Sequence, residues 1–321
     1  MSESTVLVGD IGGTNARFAI ARPAGAGYES ERVLLCDDFV SAESAIQQYL
    51  EEVSAPPIRS ACLAVAGPVA EGKASLTNNC WLFDEASLRA ALSCERVKLL
   101  NDFEAAALGM VELGPVDLTP VGKAGLPDLS QTEFVTAVVG PGTGFGAATL
   151  IKRDGRLTSL SGESGHVGFA PENPMQAELL ASLANAFGRV SDERLVSGSG
   201  LVNIYQFLAT RSQTVSERFD AATIFSRVET DQIAQEAVAL FFELLGQVAG
   251  NFVLVTGSFD GLFIAGGIVQ RYPELLQRSA FRAGFENKGR HRGLMQAVPT
   301  VLVHHPLPGL LGATAFAKGW L

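Results

Sequence analysis

Two similar strand–turn–strand segments constrain the fold of this chain more than any other feature of its sequence. In the first half, the apolar segments 5–9 and 16–21 flank a glycine-rich turn, and in the second half the segments 134–139 and 147–152 do the same. Mixed α and β patterns follow each pair. A chain of 321 residues has room for two domains. The repeat therefore predicts two α/β domains, although the two halves share little sequence beyond their glycines.

The charge and hydropathy of the chain argue against several classes of partner. A net charge of −10 argues against nucleic acid and against an anionic membrane surface. The most apolar long segment, 237–255, carries Glu243, Gln247 and Asn251 at four-residue intervals. This spacing predicts an amphipathic helix with a polar stripe rather than a membrane span.

The N-terminal residues and the cysteines favour a cytoplasmic protein. Met1–Ser4 contain no basic residue, so we expect no signal peptide. The four cysteines are scattered and include no C-x-x-C pair, which argues against a metal site or a disulfide framework. We therefore expect reduced thiols.

The first glycine turn has the features of a phosphate-binding loop. It reads G-D-I-G-G-T-N over residues 9–15, and Gly12 and Gly13 allow backbone amides to point at a ligand. Thr14 adds a hydroxyl donor, and Asp10 can hold a hydrated Mg²⁺, which prefers carboxylate and phosphate oxygens. The alternative is a tight hairpin in which the glycines serve the backbone geometry alone.

The second glycine turn reads G-P-G-T-G-F-G over residues 140–146 and places glycines at alternate positions around Thr143. Gly142, Gly144 and Ala147 match the dinucleotide-binding pattern G-x-G-x-x-A. That pattern requires a helix directly after the turn. The continuation A-A-T-L-I-K-R-D-G-R predicts a strand and a hairpin instead, so we reject a dinucleotide site here.

Two further glycine motifs allow a structural explanation. The segment from Gly67 to Ala74 resembles a P-loop, but Ala74 stands where the metal-binding Ser or Thr is required and no helix pattern follows. We therefore predict a surface turn. Gly266 and Gly267 follow an apolar strand pattern at 262–265 and permit the close approach of a flat ligand such as adenine. A tight junction between strand and helix explains this pair equally well.

Asn101 and Asp102 follow a predicted strand at 97–100, at the end where α/β proteins bind ligands. Asp102 lies between an apolar strand and the apolar helix F-E-A-A-A-L-G. Burial there could raise the pKa of its carboxyl toward that of a general base. A helix cap formed by Asn101 and Asp102 is an equally good interpretation.

Three more polar residues occur in settings that suit the binding of a polyol. Glu163 and His166 lie three residues apart in a glycine-interrupted loop, and Glu193 lies in the segment V-S-D-E-R-L-V-S-G-S-G. A polyol needs charged acceptors and donors around its hydroxyls, which these side chains and Asn101 would supply. The alternative is that they are surface or capping residues, and Glu193 in particular is compatible with a solvated helix.

Taken together, the motifs resemble those of bacterial glucokinases of the proteobacterial type, in the hexokinase and actin-like superfamily. The likeness runs in order from about residue 5 to residue 315. The segments that carry it are L-V-G-D-I-G-G-T-N-A-R-F-A, L-L-N-D-F-E-A-A-A-L-G, G-P-G-T-G-F-G, S-G-E-S-G-H-V-G-F-A-P, S-G-S-G-L-V-N-I-Y and F-I-A-G-G-I-V.

The resemblance implies an α/β, actin-like (ribonuclease H-like) two-domain sugar kinase fold with an interdomain cleft. It places residues 1–110 and 305–321 in a small domain and residues 111–304 in a large one. The implied reaction is phosphorylation of the 6-hydroxyl of D-glucose by ATP with Mg²⁺, the first step of glucose use in glycolysis. It also implies a cytoplasmic enzyme that binds neither nucleic acid nor membrane, and related enzymes are commonly homodimers.

Position within these motifs also implies a role for each site residue. Asp102 resembles the catalytic base, and Asp10 resembles a Mg²⁺ ligand that acts largely through water and the ATP phosphates. The implied sugar ligands are Asn101, Asp102, Glu163, His166 and Glu193. The implied nucleotide contacts are Gly9, Asp10, Ile11, Gly12, Gly13, Thr14, Asn15, Gly142, Thr143, Gly144, Gly266 and Gly267.

The chain departs from related sequences in two places. No cysteine cluster follows His166, in contrast to the zinc-containing sugar kinases and repressors, and Ser164 replaces one glycine of the usual loop G-E-G-G-H. The alternative functions are a kinase for another hexose, a sugar sensor that binds without reacting, and a scaffold ATPase. A sensor of this kind usually carries a DNA-binding helix-turn-helix, whereas the first strand here begins at about residue 5. A scaffold ATPase does not explain the polar residues Asn101, Asp102, Glu163 and His166.

Overall fold

The computed structural model describes residues 5–21, 27–76, 80–214 and 218–319. Met1–Ser4, which carry the prediction about a signal peptide, lie outside the described residues. Two compact units are present, and each mixes helices and strands, so the predicted α/β class is confirmed. The first unit contains Met1–Gly114, Ala148–Ser161 and His305–Leu321, and the second contains Pro115–Ala147 and Gly162–His304. The domain boundaries given above stay a prediction. They placed residues 148–161 in the large domain, whereas these residues belong to the first unit here.

The strands of the described residues are numbered in chain order. They are β1 (Thr5–Ile11), β2 (Asn15–Ala21), β3 (Tyr28–Leu35), β4 (Ile58–Val65), β5 (Val69–Ala70), β6 (Lys73–Ser75), β7 (Leu82–Asp84), β8 (Arg96–Asn101), β9 (Leu118–Pro120), β10 (Phe134–Pro141), β11 (Phe145–Arg153), β12 (Arg156–Gly162), β13 (Gly261–Ile264) and β14 (Thr300–Val303).

The α-helices of the described residues are numbered in the same way. They are α1 (Ala42–Glu52), α2 (Glu85–Ala91), α3 (Asp102–Gly109), α4 (Pro174–Phe187), α5 (Gly198–Arg211), α6 (Ala221–Ser226), α7 (Gln232–Thr256), α8 (Gly267–Arg271), α9 (Pro273–Gln277), α10 (Phe281–Glu286), α11 (Arg292–Ala297) and α12 (Pro308–Lys318). Several begin where the sequence supplies a capping side chain. Ser41, Asp84, Asn173 and Asp231 accept backbone hydrogen bonds at the starts of α1, α2, α4 and α7.

The sheet of the first unit brings three strand ends to one edge. Its order is β3-β2-β1-β4-β8, in which β4 is parallel to β1 and β8 is parallel to β4. In register, Ile11 lies beside Val65, and Val65 lies beside Asn101. The first glycine turn and the Asn101–Asp102 pair therefore follow the same carboxyl edge of the sheet.

Helices α3 and α12 pack backbone against backbone in the first unit. A Cβ atom on Gly109 would collide with the carbonyl oxygen of Pro308, and a Cβ atom on Gly312 would collide with that of Ala105. Interiors are packed as densely as organic crystals, so neither position has room for a methyl group. The two glycines therefore permit the approach of these helices.

A second sheet has the order β12-β11-β10-β13-β14-β9. Strands β10, β13 and β14 are parallel, and β9 is antiparallel to β14. The boundary between the units runs through β11, so the remaining strands β10, β13, β14 and β9 belong to the second unit.

Helix α7 forms much of the core of the second unit. It is long and apolar enough to cross a membrane by length and composition alone, but 61% of its most apolar window is buried in the fold. Phe241, Phe242 and Leu245 are fully buried. Its polar stripe also lies inside, because Gln247 is only 1% exposed and Glu243 accepts a hydrogen bond from Gln176 Nε2 at 3.3 Å.

The observed elements differ from the predicted ones mainly in length. The amphipathic helix predicted over 237–255 is part of α7, which already begins at Gln232. The apolar helix predicted to follow Asp102 begins at Asp102 itself. The elements that the sequence analysis missed, β5–β7, β9 and α8–α11, contain two to six residues each. Such short segments do not complete a hydrophobic repeat. The segment that resembles a P-loop forms the hairpin of β5 and β6, which confirms the predicted turn.

We predict that Gly312→Ala destabilises the protein by roughly 3 kcal/mol, because the added methyl group meets a backbone carbonyl that cannot rotate away. The midpoint of urea unfolding would measure this effect. Gly293→Ala is the matched control, since it also lies in a helix but a Cβ atom there meets nothing within 4 Å. We expect Gly293→Ala to be neutral or to stabilise by up to about 1 kcal/mol. Equal losses in both variants would contradict this account of the packing.

Candidate active site

Backbone hydrogen bonds fix the first glycine turn, one within the turn and one from Cys36, which follows β3. The Gly12 amide donates to the Asn15 carbonyl at 2.9 Å, and the Cys36 amide donates to the Thr14 carbonyl at 2.9 Å. Gly9 and Ile11 lie in β1, and Gly13 lies in the turn itself. The turn therefore forms the tight hairpin that the sequence analysis gave as the alternative to a phosphate-binding loop. Phosphate binding by this turn stays a prediction.

Asp10 lies near the end of β1, beside Arg17 of β2 in register. Burial raises the pKa of the Asp10 carboxyl, and the positive charge of Arg17 opposes this shift. Helix α12 reaches the same carboxylate, because a Cβ atom on Gly309 would lie 3.0 Å from its carboxyl carbon. Asp10 is thus held between a strand and the first turn of a helix.

Asn101 is the N-cap of α3, which confirms the capping interpretation for this residue. Its Oδ1 accepts from the amides of Phe103 at 3.0 Å and Glu104 at 3.2 Å. Its Nδ2 donates to the carbonyl of Gly67 at 3.0 Å. Asp102 is the first helical residue, is half-buried, and accepts from the Phe103 amide through Oδ1 at 3.0 Å. Their roles as sugar ligand and base stay predictions.

Glu104 contributes to this part of the site and was missed by the sequence analysis. One carboxylate oxygen accepts from the Asn101 amide at 3.4 Å, and the other accepts from the Ser159 hydroxyl at 3.3 Å. Asn101 and Glu104 form a capping box. The spacing N-x-x-E in N-D-F-E was the available signal, since a carboxylate three residues after an N-cap is typical of that motif.

The second glycine turn, Gly142–Gly144, is the meeting point of several segments of the second unit. The Gly142 amide donates to the Gly144 carbonyl at 2.8 Å, and the Gly198 amide donates to the Gly142 carbonyl at 2.9 Å. Thr143 lies at the middle of this turn. Strand β11 follows directly, as predicted, so the turn lacks the helix that the dinucleotide-binding pattern requires.

Gly266 and Gly267 lie against the strand that leads into this turn. Gly266 adopts φ +109°, and a Cβ atom there would lie 2.7 Å from the carbonyl oxygen of Pro141. Gly267 begins α8, so the pair forms the strand-to-helix junction that was one of the two interpretations. Adenine binding at this junction stays a prediction.

Glu193 is tied to the second glycine turn. Its Oε2 accepts from the Phe145 amide at 2.9 Å, and a Cβ atom on Gly144 would lie 2.5 Å from the same oxygen. Its Oε1 accepts no hydrogen bond from the described residues. Glu193 is therefore not a solvated helix residue, because it holds the turn through one oxygen and presents the other.

The loop with Glu163 and His166 packs beside the same turn. The His166 Nε2 and Glu163 Oε2 atoms are 3.9 Å apart, and both side chains are 58% exposed. A Cβ atom on Gly165 would collide with the Phe145 carbonyl oxygen, so the loop lies directly on β11. The structure thus brings Glu163, His166 and Glu193 together around Phe145.

Two buried polar groups near this loop were not recognised as candidates. Asp192 is 8% exposed, and burial raises the pKa of its carboxyl to about 7. The Ser164 hydroxyl is buried and has no hydrogen-bond partner among the described residues. A serine at a usual glycine position and an acid next to Glu193 were the only signals, and neither pattern indicates burial.

The candidate site residues fall into two sets. Within the described residues, no three His, Cys, Asp or Glu side chains are arranged to hold a metal ion. The first set belongs to the first unit and contains Gly9, Asp10, Ile11, Gly12, Gly13, Thr14, Asn15, Asn101 and Asp102. The second set belongs to the second unit and contains Gly142, Thr143, Gly144, Glu163, His166, Glu193, Gly266 and Gly267.

Known proteins match almost the whole chain. A sequence model of the family described as Glucokinase matches residues 7–319. A curated relative named Glucokinase from Yersinia pestis (strain Pestoides F) is 37% identical over 314 residues, covering 97% of this chain and 96% of the relative. A crystal structure of glucokinase from an Antarctic psychrotroph superposes with a TM-score of 0.88 at 33% identity, covering 98% of this chain and 99% of that one.

A more distant structure shares the fold alone. It is a ROK family glucokinase from Streptomyces griseus in complex with glucose and AMPPNP, with a TM-score of 0.66 and 17% identity. The superposition covers 98% of this chain and 100% of that one. The chain therefore shares its fold with both of these structures.

We predict that the Asp192 carboxyl makes stability fall as pH rises. The unfolded chain releases this proton near pH 3.8 and the folded chain near pH 7, so the favourable contribution is complete below about pH 4 and is lost through pH 7. Asp192→Asn should therefore gain up to about 4 kcal/mol relative to the parent protein between pH 4 and pH 8. Urea unfolding at a series of pH values would measure the difference. Asp154→Asn, on an exposed turn, is the control, and parallel profiles for the Asp192 variant and the parent would refute the prediction.

Proposed function

The chain belongs to the glucokinase family, and we propose that the two sets of residues described above carry out its reaction. The activity is the ATP-dependent phosphorylation of glucose. The family match covers every motif that supplies a candidate residue. The observation that supports the assignment of roles is the register of β1, β4 and β8, which puts the glycine turn and Asp102 on one edge of one sheet.

Asp102 is proposed as the general base. Its carboxylate accepts the proton of the glucose 6-hydroxyl while that oxygen attacks the γ-phosphorus of ATP. The new oxygen–phosphorus bond forms as the bond to the β–γ bridging oxygen breaks, and ADP leaves. Base assistance of this kind is typically worth about 10²- to 10⁴-fold in rate. The capping box of Asn101 and Glu104 supports the role, because it fixes the backbone from which Asp102 projects.

The sugar is proposed to bind through its hydroxyls to Glu163, His166, Glu193 and Asn101. The first two side chains are more than half exposed and only 3.9 Å apart, so one hydroxyl group can bond to both. Glu193 can accept through Oε1. Asn101 can contribute the second N–H of Nδ2, since its other polar positions are taken by backbone groups.

The phosphates of ATP are proposed to bind at the two glycine turns, with Thr14 and Thr143 as hydroxyl donors. Backbone amides in such turns form concave sites for anions. The base of ATP is assigned to Gly266 and Gly267, because a Cβ atom on Gly267 would meet nothing within 4 Å and the space beside this backbone is open.

Asp10 is proposed as the protein group that holds Mg²⁺. The metal is usually bound by one or two carboxylates together with substrate phosphates and water. The single carboxylate of Asp10, beside a turn proposed to bind phosphate, fits that donor set. When bound, Mg²⁺ neutralises charge on the phosphoryl oxygens.

Several finer features are proposed from the family alone. They are the ribonuclease H-like detail of the actin-like fold, a cytoplasmic location, a role at the start of glycolysis and a homodimer. The sedimentation velocity of the purified chain would test the homodimer, since a monomer of 33.8 kDa and its dimer separate clearly.

A coupled assay of ADP release with Mg·ATP over a panel of hexoses tests the substrate. We expect strong turnover with glucose, weak turnover with mannose, fructose and N-acetylglucosamine, and no ADP without sugar. Hydrolysis of ATP without sugar, or no turnover with any sugar, would contradict the proposal. Equal turnover of another hexose would move the specificity away from glucose.

We predict that Asp102→Asn lowers kcat by at least about 100-fold while the Kd for glucose changes little, because the amide keeps its hydrogen bonds but cannot accept the proton. Steady-state kinetics and calorimetric titration of glucose would measure the two quantities. Asp154→Asn provides the same substitution at an exposed turn of the same unit and should behave as the parent protein. A near-normal kcat in Asp102→Asn would remove Asp102 from the role of base.

A further inference from the structure

A cavity in the second unit is separate from every residue assigned to the reaction. Its volume is about 300 Å³. It lies where the start of α4, the middle of α7 and the segment from α10 to α11 come together. The polar side chains that line it include Glu172, Gln176, Glu243, Gln247, Asn287 and Arg292. None of these belongs to the two sets of candidate site residues.

The lining includes an acceptor in a fixed orientation to which no described residue donates. Gln247 is 1% exposed, and its Nε2 donates to the carbonyl of Ala170 at 2.7 Å, which fixes the orientation of the amide. Its Oε1 accepts no hydrogen bond from the described residues. The fixed amide therefore offers an acceptor oxygen on the cavity lining to a ligand that brings a donor.

Glu243 lies one helical turn before Gln247 and adds a second acceptor. Its Oε1 accepts from Gln176 Nε2 at 3.3 Å, and no Lys, Arg or His nitrogen of the described residues lies within 4.0 Å of its carboxylate. Residues four apart on a helix share one face, so the two acceptors point the same way. The carboxylate of Glu243 can therefore accept further hydrogen bonds from the hydroxyls of a ligand.

The positive charges around the cavity are divided between a paired group and a free one. Lys288 donates to Glu172 at 2.9 Å, and Asn287 donates to the other oxygen of Glu172 at 2.8 Å. Lys288 and Glu172 therefore form an ion pair in which each neutralises the charge of the other. Arg292 is exposed and has no hydrogen bond or ion pair with the described residues. The cavity therefore has acceptors within and one uncommitted guanidinium on its lining.

We propose that this cavity binds a small polyhydroxylated molecule with one anionic group, the chemical class of sugar acids and sugar phosphates. Neighbouring hydroxyls of such a ligand donate to Glu243 and to Gln247 Oε1, and its anionic group pairs with Arg292. The volume is at the lower end of the range for small-molecule sites, which suits a molecule of this size. The site does not depend on the roles proposed for Asp102 or for either glycine turn.

Calorimetric titration tests the site in the full-length protein. The reaction site is first saturated with glucose and a non-hydrolysable ATP analogue, so that glucose 6-phosphate cannot bind there as a product. Glucose 6-phosphate, gluconate, sorbitol and inorganic phosphate are then titrated separately. We expect glucose 6-phosphate or gluconate to bind at least 10-fold more tightly than sorbitol and inorganic phosphate, since each of the latter lacks one half of the recognised chemistry.

Two variants and two matched controls locate the binding. Glu243→Gln removes the charge and retains an acceptor for Gln176, and Arg292→Ala removes an exposed side chain, so both should fold and keep the parent kcat for glucose. Each should weaken binding at least 10-fold. Glu236→Gln lies on the same helix and also accepts from a glutamine, Gln232 Nε2 at 3.0 Å, but is exposed outside the cavity. Arg290→Ala removes a nearby exposed cation that does not line the cavity. Both controls should bind as the parent does.

Three results would overturn the proposal. One is the absence of binding by both anionic polyols. Another is binding of inorganic phosphate as tight as that of glucose 6-phosphate, which would indicate an adventitious anion site. The last is an affinity that Glu243→Gln and Arg292→Ala leave unchanged or that the two controls weaken equally.

Discussion

The arrangement of the first unit depends on the contact between α3 and α12. Gly109 and Gly312 bring the two helix backbones together, and Gly309 brings the start of α12 to the carboxylate of Asp10. The chain end is thereby packed against the helix that begins at Asp102. One run of close backbone contacts thus positions both the carboxylate proposed to hold Mg²⁺ and the carboxylate proposed to accept the proton. A methyl group anywhere along this run would move one relative to the other, and displacements of about 1 Å are costly for catalysis.

The second unit uses the same physical device around a different centre. Gly165 and Gly266 lie against the backbone of residues 140–145, where a Cβ atom would collide with a carbonyl oxygen. Gly198 joins the same segment by donating its amide to the Gly142 carbonyl. Segments that are far apart in sequence can meet there because the backbone itself forms the contact surface. The glycine motifs therefore have two functions in one. One is the proposed binding of a phosphate by backbone amides. The other is that the loop with Glu163 and His166 and the proposed adenine junction can pack directly on the second glycine turn.

The sequence was sufficient for the parts of this site that depend on local pattern. The strands on both sides of each glycine turn follow from apolar runs, and the capped start of α3 follows from N-D-F-E. Long-range partners could not be predicted, because nothing in the segment around Glu193 indicates that its carboxylate bonds to the Phe145 amide 48 residues away. The polar stripe of α7 shows the same limit. Periodicity identified the face but not that the start of α4 and the segment from α10 to α11 cover it.

Some polar atoms of the candidate site residues already bond to the backbone, and others are still available to a ligand. Asn101 has both Oδ1 positions filled by helix amides, so any sugar contact must use its remaining N–H. Glu193 divides its carboxylate, since Oε2 holds the second glycine turn while Oε1 is available. A hydroxyl bound to Oε1 would withdraw negative charge from Oε2 and loosen its hold on the Phe145 amide. The proposed role of Glu193 as a sugar ligand would therefore couple sugar recognition to the geometry of the turn through a single carboxylate. Neither the acid nor the glycine motif indicates this coupling alone.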